Sequence, residues 1–311
     1  MKIGSTTVEA GQSEVVKLLV GQLPSGNSIY ITAHVHRAKE QGPVMLLLGG
    51  MHGDEINGIE IVREFVTNPP VLKTGTVIAI PLLNSYGFIN FSREVPDGKD
   101  VNRSFPGSKS GSLASRVAHA LFTEVLPHVH FVVDLHTGGR GNYNYPQIRY
   151  TPGHADAEAM AVAFGAPVRL AYPVIAKSLR KSAADKRGIP VLVFEGGENL
   201  RYDGLSIQHA LAGIRRLLSF KGMIDAPFEQ VTGHFFNHST WIRANRGGLF
   251  QWMKPSGNWV VKGEPLGFIN DPQSLKPIKY IHATASGYLI GHNNTPVVSQ
   301  GDALFHLAFR K

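Results

Sequence analysis

The residues best suited to chemistry lie where apolar runs end. Leu46-Leu47-Leu48-Gly49-Gly50-Met51-His52-Gly53-Asp54-Glu55 closes one such run on glycines, then presents a His and a Glu three positions apart. Asp134-Leu135-His136 closes a second run, and Val193-Phe194-Glu195-Gly196-Gly197 a third. A catalytic zinc takes three protein ligands, His and carboxylate among the suitable donors, and keeps one position open. His52, Glu55 and His136 can supply such a set, because strand ends far apart in sequence meet in space. One Zn2+ per chain is expected. Metal-assisted hydrolysis needs a general base to carry the water's proton to the leaving group. Glu195 suits that role, standing where an apolar strand opens into glycines. Glu198, three residues on, is its rival.

Delivering these side chains requires strands that end together. The runs at 44–49, 76–83, 131–135 and 189–194 are continuously apolar, the mark of strands buried on both faces. Helical spacing appears at 55–66, 112–126, 156–164, 178–186 and 205–220, with a short strand at 168–171. A hairpin with alternating apolar positions spans 14–37 around Pro24-Ser25-Gly26-Asn27. The alternation predicts an α/β fold, a mixed but mostly parallel sheet flanked by helices. Ligands in such sheets collect at the strands' carboxyl ends. The long polar stretch 84–111 reads as a functional loop.

From about 233 the texture changes to short strands between Gly turns, near 240–244, 248–252, 259–261, 266–269, 280–283, 288–291 and 303–307. The chain therefore divides into a catalytic α/β domain, 1–232, and a small C-terminal all-β, barrel-like module, 233–311. Ile281-His282-Ala283-Thr284-Ala285-Ser286-Gly287-Tyr288 resembles the second half of a biotinyl/lipoyl-like barrel. Lys276 stands about where a carrier lysine would be, but without the usual Met or Asp neighbours. A module that walls the cleft or supports homo-oligomer contacts is the preferred reading.

Composition narrows the chemistry. The 311 residues include no cysteine, which excludes disulfides, thiolate metal sites and cysteine nucleophiles. The hydrophobic fraction of 43% supports a full core, and no apolar run approaches the ~18 residues that span a bilayer. The N-terminus lacks the apolar core of a signal peptide, so a cytoplasmic protein without membrane contact is expected. The net charge of +8 is dispersed; its densest groups, Arg180-Lys181 with Lys186-Arg187 and Arg215-Arg216, accompany no nucleic-acid motif. A small anionic substrate accounts for the charge without nucleic acid. No G-x-S-x-G elbow offers a serine nucleophile.

In this order, His52-Gly53-Asp54-Glu55, Asp100-Val101-Asn102-Arg103-Ser104-Phe105-Pro106-Gly107, Asp134-Leu135-His136 and Phe194-Glu195 resemble the succinylglutamate desuccinylase/aspartoacylase family of the zinc carboxypeptidase superfamily. The resemblance covers roughly 44–220, and the β module is similar to the C-terminal part of bacterial members. It implies a zinc-carboxypeptidase-like fold, with His52, Glu55 and His136 as zinc ligands and Glu195 as general base. It also implies that Asn102 grips a substrate carboxylate, and that Arg103 polarises the scissile carbonyl or binds carboxylate. Arg93 would stabilise the oxyanion, a task suited to the planar guanidinium fork. The chain departs from many relatives after His136, which makes Arg140, Asn142 and Tyr143 candidates for substrate binding. Asp54 and Asp134 read as residues behind the ligands or in turns, the first orienting a ligand His. The implied activity is deacylation of an N-acyl amino acid. A carboxypeptidase acting on short acidic peptides or glutamate conjugates, and a non-catalytic binding protein of the same fold, are the alternatives.

Overall fold

The computed structural model describes residues 1–310; Lys311, the last residue of the expected 233–311 module, lies outside them. Among the described residues, 13 strands join one mixed sheet. At its centre Thr74–Ile80, Glu40–Leu48, Phe131–Gly138 and Val191–Glu198 run parallel in that order. The hairpin Ser13–Gln22 and Ser28–Arg37 extends one side antiparallel. Asn142–Tyr150, Gly287–Asn293, Ala303–Phe309 and His238–Arg243 extend the other.

Continuous apolar runs form these strands because both sheet faces are covered. In Val44–Leu48 the side chains alternate between two cores. Val44, Leu46 and Leu48 pack with the hairpin and with helix Leu113–Ala120. Met45 and Leu47 pack with helices Ile56–Thr67, Ala155–Phe164 and Gly204–Phe220. The same alternation places Ile78 and Ile80 on the first side, and Val77 and Ala79 on the second.

Three expectations need correction. The single helix over 112–126 is an α-helix at Leu113–Ala120 that widens into a π turn at Leu121–Val125 and ends in a 3-10 turn at Leu126–His128. Pro127 has no N–H to continue the ladder. The loop 84–111 contains a short helix, Ser85–Ile89, and a 3-10 turn, Val101–Arg103. The segment after His136 turns through Arg140 and Gly141, both at positive φ, and returns as strand Asn142–Tyr150 beside Val191–Glu198. Its polar composition and Pro146 conceal a strand in the middle of the sheet. Pro146 is tolerated because the register shifts opposite it, between Glu195 and Gly197, so no ladder donor is missed.

The C-terminal strands fall near their expected places. Lys279–His282, Pro265–Asn270, Gly248–Trp252 and Val297–Val298 form a four-stranded sheet. Gly287–Asn293 pairs instead with Asn142–Tyr150, Gly291 opposite Asn144 and His292 opposite Tyr143. Lys276 is exposed between Pro265–Asn270 and Lys279–His282.

His292 marks this junction. It is buried between the rings of Tyr143 and Trp252, and its Nδ1 accepts from the Ser256 backbone N–H at 3.2 Å. Burial pushes its pKa from 6.5 down to about 4. The folded state therefore resists a proton that the unfolded chain takes up below pH 6.5, so stability falls as pH drops from 6.5 to about 4. We expect the stability difference between pH 7 and pH 4.5, from urea melts, to be about 1–3 kcal/mol smaller in His292→Gln than in the parent. An equal difference in both would show that this imidazole does not carry the effect.

Candidate metal centre and active-site cleft

His52 and Glu55 leave the end of Glu40–Leu48, and His136 stands on Phe131–Gly138, so adjacent parallel strands bring them to one edge. His52 Nδ1 lies 2.7 Å from Glu55 Oε1. His136 Nδ1 lies 2.9 Å from Glu55 Oε2 and 3.2 Å from His52 Nδ1. All three side chains are buried, and one donor atom from each falls within 4.8 Å of the others.

The outer ring nitrogens carry a second layer of carboxylates. Asp100 Oδ1 sits 3.3 Å from His52 Nε2, and Asp134 Oδ2 sits 3.0 Å from His136 Nε2. A carboxylate at Nε2 keeps that nitrogen protonated and turns the Nδ1 lone pair inward, the arrangement a metal-binding imidazole needs. The donor set, two imidazoles and a carboxylate, suits a divalent transition metal such as zinc. Burial opposes charge on each group, but the neighbours outweigh it. Glu55 is held well below the usual carboxylate range by His52 and His136. His136 is raised well above 6.5 by Asp134 and Glu55, and His52 is raised by Glu55 and Asp100.

Beside these residues opens a cleft of about 250 Å3. Glu195 lines it from the next strand, in register with His136. Asn144 Nδ2 donates to Glu195 Oε2 at 2.8 Å, and Arg149 Nη1 donates to Oε1 at 2.9 Å. Both partners come from Asn142–Tyr150, the strand hidden from pattern reading. Arg180 also lines the cleft. It is 6% exposed, its Nη2 donates to the Pro173 carbonyl at 2.5 Å, and its Nη1 is buried without a partner. Burial, reinforced by Arg149, pushes its pKa from 12.5 down to about 10. Sequence patterning treated Arg180 as one of several dispersed cations. The available signal was its place in the first turn of helix Leu179–Arg187, where the helix dipole disfavours a cation.

The other expected residues divide between the cleft and elsewhere. Arg93 lines the cleft, its Nη1 3.2 Å from Glu55 Oε1 and its Nε and Nη2 donating to Asp100 Oδ2. Asn102 lines it too; its Oδ1 accepts from Leu179 N at 2.9 Å, which leaves its amide hydrogens for other partners. Arg103 reaches the same wall, with its side chain 41% exposed. Asn142 borders the cleft, and its Nδ2 donates to the Gly139 carbonyl. Arg140 is exposed on the turn and Tyr143 bonds to Asp203 at the start of helix Gly204–Phe220; neither is among the residues lining the cleft. Asp54 accepts from Asn199 and touches neither ligand His; Asp100 orients His52 instead. Glu198 pairs with Arg201 and Asn294, away from the cleft.

The buried His-Glu-His cluster at strand ends could hold a metal ion, with a carboxylate on the next strand beside it. Residues 41–221 match the model of the succinylglutamate desuccinylase/aspartoacylase catalytic domain, and the chain belongs to that family. It is 27% identical over 288 residues to the N-alpha-acetyl-L-2,4-diaminobutyric acid deacetylase of Halomonas elongata, covering 86% of this chain and 82% of that protein. The fold is similar to a crystal structure of succinylglutamate desuccinylase/aspartoacylase from Rhodobacter sphaeroides, with a TM-score of 0.84 and 26% identity over 97% of this chain and 96% of that one. It is also similar to the product-bound ectoine utilization protein EutE (DoeB) of Ruegeria pomeroyi, with a TM-score of 0.87 and 23% identity over 97% and 95% of the two chains. The family's members are N-acyl amino acid deacylases.

Asp100→Asn keeps the shape of the carboxylate but removes its charge from His52. We expect about 10–100-fold weaker metal affinity, read by competition with a chelator dye. Unchanged affinity would remove Asp100 from the centre's support.

Proposed function

We propose that the protein is a zinc-dependent deacylase that hydrolyses the amide bond of a small, anionic N-acyl amino acid. The observation that carries this reading is the convergence of His52, Glu55 and His136 beside a cleft that also holds the Glu195 carboxylate and unpaired Arg180. On this reading residues 1–232 form the catalytic unit, and 233–311 form a β module that borders it.

Zinc held by the three ligands would supply Lewis acidity, polarising the amide carbonyl and acidifying water. Glu195 Oε2 or Oε1 takes a proton as the water oxygen bonds to the carbonyl carbon. The same carboxylate hands that proton to the amide nitrogen as the C–N bond breaks, giving a carboxylic acid and an amine, which exchange the remaining proton to leave as carboxylate and ammonium. Arg149 and Asn144 hold Glu195 in place. Arg93 donates to the developing oxyanion. Arg103, Arg180 and the free Asn102 amide group supply donors for substrate carboxylates; Arg180 is preorganised, because its guanidinium is already desolvated and fixed through Pro173. Asn142 lies at the cleft's margin, where it would contact the acyl group or side chain.

Glu195→Gln should retain zinc by metal analysis while turnover of a panel of N-acetyl, N-succinyl and N-formyl amino acids drops about 10²–10⁴-fold. Comparable turnover would sink the assignment of the base. Arg180→Gln should bind zinc normally but raise KM for anionic substrates by roughly 10–100-fold, the loss of a charge-assisted contact. A parent enzyme that hydrolyses no member of the panel, with or without added zinc, would overturn the deacylase reading.

A further inference from the structure

The large sheet places its C-terminal strands in the order Asn142–Tyr150, Gly287–Asn293, Ala303–Phe309 and His238–Arg243. They depart from the Arg149 side of the catalytic strands. Residues from 52 to 195 line the cleft, with one addition from the β module, Trp241. That side chain lies on the outermost strand, opposite His306 in register. The two rings stack with centroids 4.3 Å apart and planes inclined by 10°. His306 is buried, and its Nε2 is 2.9 Å from Ser239 Oγ, so the ring beneath the indole is fixed. Burial and Arg149 together keep that imidazole neutral. One indole face is thus occupied by His306, while Trp241 remains partly exposed at the cleft.

The cleft that holds Arg180 mixes polar groups with an apolar and aromatic part. Tyr172, Ile175 and Val193 share the cleft with Trp241 and Arg180, and Tyr172 carries Arg149 over its ring at 5.0 Å. The cleft thus offers a ligand apolar and aromatic side chains together with the unpartnered Nη1 of Arg180. We propose that Trp241 is a specificity-determining residue, whose indole packs on an unbranched aliphatic segment of the substrate that ends in a carboxylate at Arg180. The choice of scissile bond rests on the deacylase reading above; the packing of ligand on Trp241 does not.

The test uses the zinc-loaded Glu195→Gln protein and N-acetyl-L-glutamate as probe. Saturation should change tryptophan emission; the change should vanish on adding Trp241→Phe and survive Trp252→Phe or Trp259→Phe. In the active background, Trp241→Ala should raise KM for N-acetyl-L-glutamate about tenfold with kcat within about threefold, and Trp241→Phe should restore most of the loss. N-acetylglycine, which lacks the aliphatic segment, should lose much less. Emission change that persists in Trp241→Phe, no emission change at saturation, or equal KM effects on both substrates would overturn the proposal. Emission change through Trp241 without hydrolysis of any substrate by the parent would uphold the contact and remove the deacylase reading.

Discussion

Glu55 is 1% exposed, and everything around it answers its charge. An isolated carboxylate in such a place would neutralise itself by taking up a proton. Here two imidazoles, the Thr137 backbone N–H at 3.1 Å and the Arg93 guanidinium surround it. Asp100 and Asp134 then stand behind the imidazoles, and Asp100 in turn pairs with the Arg93 and Arg103 guanidinia.

The sheet makes that burial possible. Parallel strands covered on both faces carry their ends to the buried cluster beside the cleft. Two glycines bring backbone close to the ligands. A Cβ on Gly53 would come within 2.0 Å of the Gly87–Phe88 backbone, and one on Gly58 within 2.7 Å of the Leu135 carbonyl oxygen. Helix Ser85–Ile89 can thus press against the residue after His52, and helix Ile56–Thr67 can lie on the strand that delivers His136. Arg93 follows the first of these helices, so the same close packing sets where its guanidinium reaches.

Pattern reading located the parallel strands, the main helices and the ligand candidates because each has a local cause. Apolar runs of four or more residues form strands buried on both sides, and polar residues directly after them sit at strand ends. It lost Asn142–Tyr150, whose burial comes from neighbours on both sides and not from its own apolar content. With that strand went Asn144 and Arg149, the two groups that hold Glu195. Tyr143 was expected at the substrate because the chain departs from many relatives after His136, but alternation along a strand sends it to the opposite face from Asn144. Asp100 was read as part of a loop motif; its role behind His52 arises from how that loop folds back over the sheet edge.

The sequence by itself determined the class of fold, the strand ends and which residue types could bind a metal, because periodicity and composition act within a few residues of each other. Only the tertiary structure decided which Asp backs which His, that Arg180 is a buried and unpaired cation, and that Trp241 reaches the cleft from the β module. Those facts depend on strand order and on packing between segments distant along the chain. His52 and Glu55 can be found by their spacing; the charges that surround them come from loops and strands that meet them only when the sheet closes.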